Sequence, residues 1–185
     1  LLKDIAQQKP EYNFVLVGSD HDQTLQASGI LDQSNIRWLN SKPYHELPRY
    51  VSRFDIGLIP FILSDITHAT SPIKLFEYFA AGKPVVVSAM EESKRYPQAI
   101  VASTPGEWIT RIDEALKRAK DSAFVVGLHE VGRNNSWEAR AESVLERLEK
   151  VSAAPRKRAW QPSNPRLQQL LRLFGKVMKV WRMSG

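Results

Sequence analysis

The sequence predicts an α/β protein with a parallel sheet flanked by helices, and three observations carry that reading. Short apolar runs recur at residues 14–17, 36–39, 56–59, 85–87 and 100–102, each followed or preceded by a stretch of helical periodicity. That alternation is the signature of βα units. The run at 85–87 is three consecutive valines, which suits a strand covered on both faces. Length and composition agree, because 185 residues with 43% hydrophobic and 25% charged content can bury one substantial core, with or without an appendage.

The elements follow in order. Residues 1–10, LLKDIAQQKP, read as the end of a helix feeding the strand at 14–17. The strand at 36–39 leads through a loop and a short helix to the strand at 56–59. Ser71 is placed to cap the next helix by accepting from an unpaired backbone N–H, with Pro72 at the first helical position, where no donor is needed. Gly82 closes that helix, and Pro84 forbids its continuation into the valine strand. After the strand at 100–102, Thr104, Pro105, Gly106 and Glu107 resemble a capping box, and Trp108, Ile109, Ile112, Ala115 and Leu116 share one helical face. A further helix starts at residues 135–138. Trp137, Ala141, Val144, Leu145 and Leu148 recur at helical spacing there, so Trp108 and Trp137 are both expected to be packing residues.

Charge is divided unevenly. From residue 151 onward there are eight basic residues and no acidic one, so a total of +6 less +8 leaves residues 1–150 at −2. A near-neutral body argues against a nucleic-acid-binding surface and puts the basic character in a tail. After a Pro-containing linker at 153–165, Leu167, Leu170, Leu171, Phe174, Val177, Met178 and Trp181 form one stripe, opposed by Arg172, Lys176 and Lys179. Two partners suit such a basic amphipathic helix: an anionic membrane surface in contact with residues 156–182, favoured by cations without acids, or a second domain of the same enzyme. The interrupting charges exclude a membrane span. With no cysteine, disulfide and thiolate chemistry are excluded, and the four histidines lack metal-ligand spacing, so no metal site is expected.

The segment at 71–87, SPIKLFEYFAAGKPVVV, carries most of the functional information. A helix N-terminus presents free N–H groups and partial positive charge, which together stabilise a phosphate. Lys74 in the first turn is unfavourable for the helix itself, which suggests a role toward an anion. Glu77, at i+3 from it, shares its face and can accept from two hydroxyls about one turn away. A nucleotide has both groups. A surface ion pair between Lys74 and Glu77 explains the same two residues equally well.

With DITHATSPIKLFEYFAAGKPVVV in view, the chain resembles the carboxy-terminal, donor-binding half of a GT-B glycosyltransferase of the group 1 or family 4 type. The resemblance runs from residue 1 to residue 151 and takes in EYNFVLVGS, whose strand ends in Gly18, and NIRWLNSKPYHELPRYVSRFDIGLIPF. It implies a Rossmann-like fold over residues 1–151, one half of a GT-B fold, with 152–185 as linker and basic amphipathic helix. It also implies that Glu77 binds the ribose and that the 39–44 loop with Lys42 and Tyr44 lies beside the base. Asp65, His68, Thr70 and Ser71 would lie near the sugar and its diphosphate, with Lys74 on the phosphates. The expected activity is transfer of a sugar from a nucleoside-diphosphate sugar to an acceptor, hexosyltransferase-like, in cell-surface polysaccharide or glycolipid synthesis. The setting would be cytoplasmic, peripheral on the inner face of the membrane, with the donor as substrate and neither cofactor nor metal. One departure stands out: the family often carries a second glutamate eight residues before the ribose-binding one, and Ala69 occupies that place. This leaves open a non-catalytic nucleotide-sugar-binding module or a membrane-recruitment protein with a degenerate site. No catalytic base is visible, and the resemblance implies an amino-terminal acceptor domain, without which the chain would be inactive. It also implies a central strand before Leu1, whose loss would expose apolar sheet edges.

Overall fold

A computed structural model describes residues 1–153 of the chain, and the expected basic helix at 154–185 lies outside the described residues. Residues 1–140 form one compact unit. Residues from 141 onward form a second, whose described part is the later portion of a single helix.

All five apolar runs are strands: β1 (Phe14–Leu16), β2 (Ile36–Trp38), β3 (Gly57–Ile59), β4 (Val85–Ser88) and β5 (Ile100–Ala102). Helix α1 (Leu2–Gln8) precedes β1, and between the strands come α2 (Thr24–Ala27), α3 (Leu47–Val51), α4 (Asp65–His68) and α5 (Ile73–Ala80). After β5 follow α6 (Glu107–Arg118), α7 (Ser122–Asn134) and α8 (Trp137–Ala153). The pairings are parallel and fall into two groups, β1 with β2 and β3–β4–β5. One core layer joins both groups: Ile5, Phe14, Ile36, Val86, Ile100 and Ile112 pack together beneath α1 and α6. On the opposite face Ile59, Val85 and Val87 pack against Leu75 and Phe79 of α5 and Leu128 of α7. Helices therefore cover both faces, as the strand composition requires, and the arrangement is Rossmann-like.

Helix α5 ends in a Schellman motif. Gly82, at φ 69°, donates to the Phe79 carbonyl at 2.8 Å and Lys83 to the Tyr78 carbonyl at 2.9 Å. Pro84 and the valines that follow are fully buried. Helix α7 crosses α5 so closely that a Cβ on Gly132 would stand 2.5 Å from the Ala80 backbone nitrogen. That contact fixes the back of α5, and hence the direction of its exposed front.

Three local expectations are corrected. Pro72, not Ser71, takes the N-cap position of α5, and no side chain caps it. The Ser71 hydroxyl faces the Glu92 carboxylate at 3.5 Å, because at ψ 102° Pro72 is still extended and carries Ser71 away from the first turn. Helix α6 begins at Glu107 rather than Pro105, and Glu107 reaches back to the Ser103 N–H at 2.9 Å. Trp108 is buried as expected, but Trp137 is 71% exposed; it stands at the first residue of α8, where one side of the helix start is open to solvent.

Candidate functional site

The carboxyl ends of the strands open onto the loops that hold the predicted site residues, which is where parallel α/β sheets bind ligands. The β2 and β3 ends lie on the same side, because Tyr44, beyond β2, donates from its hydroxyl to Glu77 of α5 at 2.8 Å. Lys74 and Glu77 project from α5 one turn apart, Lys74 exposed and Glu77 half-buried. Lys74 forms no ion pair with Glu77 among the described residues, so the alternative of a surface pair is not what this helix uses. The Leu75 N–H bonds the Pro72 carbonyl at 2.9 Å, while the N–H groups of Ile73 and Lys74 have no backbone acceptor among the described residues. The start of α5 is therefore an open donor pair next to a free ammonium.

The loop before α5 is held by its own polar groups. Ser64 caps α4, accepting from the Thr67 N–H at 3.2 Å, and the Thr67 hydroxyl accepts from the Ser64 N–H at 2.8 Å. Asp65 occupies the first turn of α4, a favourable place for a carboxylate. The Thr70 hydroxyl donates to the Thr67 carbonyl at 2.8 Å. His68 has a buried Nδ1 without a hydrogen-bond partner among the described residues. Underneath, the Ser88 hydroxyl donates to the Phe61 carbonyl at 2.7 Å and pins the β3 end to the β4 end.

Gly18 and Lys42 stand apart from α5, with no hydrogen bond or ion pair to it. At the β1 end the Gly18 N–H donates to the Asn40 carbonyl at 3.1 Å, and its own carbonyl accepts from the Trp38 indole at 2.9 Å. Nothing lies within 4 Å of where a Gly18 Cβ would be, so the space over that turn is open. Lys42 is half-buried in the loop leading to Tyr44.

Sequence reasoning missed Glu92. Its carboxylate gathers the hydroxyls of Ser71 and Tyr96 and pairs with Arg95 at 3.1 Å, fastening the segment before α5 to the turn after β4. The only signal was the tandem pair Glu91–Glu92 just beyond the valine strand. Phenols near the site are held protonated. Donation to Glu77 raises the Tyr44 hydroxyl above its ordinary value, burial and then Glu77 raise Tyr78, and burial and then Glu92 raise Tyr96. Tyr44 donates to Glu77 at 2.8 Å and Tyr96 to Glu92 at 3.2 Å.

Parallel strands covered on both faces, with a polar loop and an open helix start at their carboxyl ends, define a Rossmann-like domain consistent with one half of a GT-B fold. A family model described as glycosyl transferases group 1 matches residues 1–118, and the chain belongs to that family. Among curated proteins it is similar to the "Putative teichuronic acid biosynthesis glycosyltransferase TuaH" of Bacillus subtilis (strain 168), with 28% identity over 143 residues. The match covers 74% of this chain and 36% of that relative, so the chain spans little more than a third of the relative's length.

Proposed function

We propose that this chain is the donor-binding part of a glycosyltransferase that moves a sugar from a nucleoside-diphosphate sugar to an acceptor in cell-surface polysaccharide or glycolipid synthesis. Family membership supports the transferase class, and the relative's name supports the polysaccharide setting. The observation that carries the donor reading is the start of α5: among the described residues two N–H groups lack backbone acceptors and Lys74 forms no ion pair, with Glu77 one turn further on the same side.

In the proposed mechanism the N–H groups of Ile73 and Lys74, with the Lys74 ammonium, stabilise the negative charge that builds on the departing diphosphate. Glu77 accepts from the ribose hydroxyls, displacing the Tyr44 hydroxyl that it now holds. Tyr44 and Lys42 flank the base, Gly18 leaves room for the phosphates, and the 65–71 loop, with Asp65, His68, Thr70 and Ser71, orients the sugar. The acceptor and the group that receives its proton belong to another part of the enzyme. The basic residues at 156–182 supply attraction to an anionic membrane, placing the enzyme peripherally on its inner face.

Calorimetric titration with uridine and guanosine diphosphates tests this reading. Binding by one of them, weakened at least about tenfold in both Lys74→Ala and Glu77→Ala, a loss of about 1.4 kcal/mol each, is the expected result. Binding unaffected by either change removes the site assignment. Ala69, where the family often has its second glutamate, favours a second reading as a non-catalytic binding module. Binding without sugar transfer or donor hydrolysis by the full-length enzyme would establish it.

A further inference from the structure

Glu92 stands beside the start of α5, yet its carboxylate has no part in the proposed handling of the diphosphate or the ribose. The turn that carries it is tightly fastened. Ser93 is fully buried, and its hydroxyl donates to the carbonyls of Ser88 at 3.0 Å and of Met90 at 2.8 Å, with Met90 itself fully buried. Glu92 is therefore held in place just beyond the end of β4, its side chain 19% exposed.

Its neighbours do not use that carboxylate up. Two carboxylate oxygens offer about four acceptor sites. Among the described residues one oxygen takes the Tyr96 hydroxyl at 3.2 Å and the Ser71 hydroxyl at 3.5 Å, and the other pairs with Arg95 at 3.1 Å. The Ser71 bond is long against the usual O–H···O span of about 2.5–3.0 Å. One acceptor site is thus free and a second is barely engaged. Arg95 is 73% exposed, so water screens the ion pair, and the pair by itself does not explain a carboxylate kept here.

The position of Glu92 relative to Glu77 says what it suits. Successive helical residues point about 100° apart. Glu77 turns toward Tyr44 and the β2 end, whereas Phe76 meets Tyr96 edge to face, with ring centroids 5.1 Å apart, on the side where Glu92 lies. Two carboxylates therefore flank the start of α5 from different sides. Glu92 meets the chain at Ser71, before the N–H groups of Ile73 and Lys74, and Glu77 projects one turn after them. A negative charge beside an anion site opposes the anion, so the second carboxylate suits an uncharged group rich in hydroxyls. A nucleoside-diphosphate sugar carries such a group at each end of its diphosphate, the ribose and the hexose.

Given the donor reading of α5, on which this step rests, we infer that Glu92 is a specificity residue that binds the hexose of the donor, its carboxylate accepting from two adjacent ring hydroxyls. One hydroxyl takes the free acceptor site, and the other replaces the long bond from Ser71. A donor without two adjacent free hydroxyls makes one bond fewer and binds less well.

Calorimetric titration of the full-length enzyme with uridine and guanosine diphosphates, and with a panel of their hexose derivatives, tests the inference. Glu92→Gln keeps the length of the side chain and an acceptor for Tyr96, but loses the charge and one acceptor oxygen. The expected result is a split. The hexose derivative that the wild type binds tightest is bound at least about tenfold less tightly by Glu92→Gln, as loss of hydrogen bonds to a charged group implies. The bare diphosphate is bound as well, or up to about threefold tighter, because a nearby negative charge has gone. Glu92 acting only as a fastener of Ser71 and Tyr96 would weaken both ligands alike or neither, and either result would overturn the inference. Glu92→Asp, with the charge kept and the arm shortened, gives the same split with the bare diphosphate unchanged, and decides the matter should Glu92→Gln not fold. A wild type that binds the bare diphosphate, with a hexose derivative that Glu92→Gln binds equally well, sinks the hexose assignment alone. No nucleotide bound by the wild type at all would overturn the donor reading, and this inference with it.

Discussion

Tyr44 and Glu77 occupy one another in the free chain, and that pairing sets a prediction at the scale of single residues. Tyr44→Phe keeps the exposed ring for the base and releases Glu77, so nucleoside diphosphate binding tightens about two- to fivefold, as removal of one competing hydrogen bond implies. Tyr44→Ala loses the ring as well and weakens binding; calorimetry separates the two. In the proposed site Lys74 acts as an exposed charge, so the wild-type affinity should fall with added salt while that of Lys74→Ala falls less. That Lys74 and Glu77 share a face of α5 was legible in the sequence because a helix puts i and i+3 side by side. The Tyr44–Glu77 bond was not, since it joins residues 33 positions apart through a loop whose path no local rule dictates. Glu92 was hidden for the same reason: its partner Ser71 is 21 positions away. Ser71 itself was misassigned because Ser-Pro at a helix entry fits either a cap followed by the first helical residue or, as here, a proline cap preceded by a free hydroxyl.

At the scale of elements, the α5–α7 crossing decides where Lys74 and Glu77 point. Gly132→Ala places a methyl against the Ala80 backbone, where nothing yields easily, and should destabilise the chain by about 1–3 kcal/mol, seen as a lower denaturant midpoint with unchanged slope. Helix α7 escaped the sequence reading because Gly127, Gly132 and the adjacent Val125 and Val126 lower its propensity. It forms nevertheless, capped by Asp121, which accepts from the N–H groups of Ala123 and Phe124, and packed through Leu128. A second link joins α6 to the entry of β1. Asp113 accepts from the Tyr12 hydroxyl and pairs with Lys9 at 3.4 Å, and the Tyr12 bond and then Lys9 hold its carboxyl below the ordinary 3.8. A carboxyl with a lowered folded value adds stability above 3.8, and that stability is lost as pH falls below it. Thermal melts of Asp113→Asn should therefore lie below wild type at neutral pH and converge with it under acid conditions. Equal separation at every pH would exclude this coupling.

On the scale of the whole molecule, five apolar runs and their helical spacers were enough to foretell strands, parallel pairing and helices on both faces. Which strands adjoin was less legible, because adjacency depends on crossover faces that appear only once the core layers are known. Distribution of charge belongs to this scale as well. The body carries −2 and the tail +8, so a chain shortened to residues 1–150 should lose attraction to vesicles containing anionic phospholipid while retaining nucleotide binding, measured by co-sedimentation and calorimetry. Vesicle binding by the shortened chain would move the membrane contact onto the α/β body.

The bond from the Trp38 indole to the Gly18 carbonyl gives the protein an optical reporter of its own. Indole emission responds to the polarity around its N–H, and this indole sits directly under the turn over which phosphates are proposed to rest. Titrating nucleotide should change the intrinsic fluorescence without any attached dye, and Trp38→Phe should abolish the change even where calorimetry still records heat.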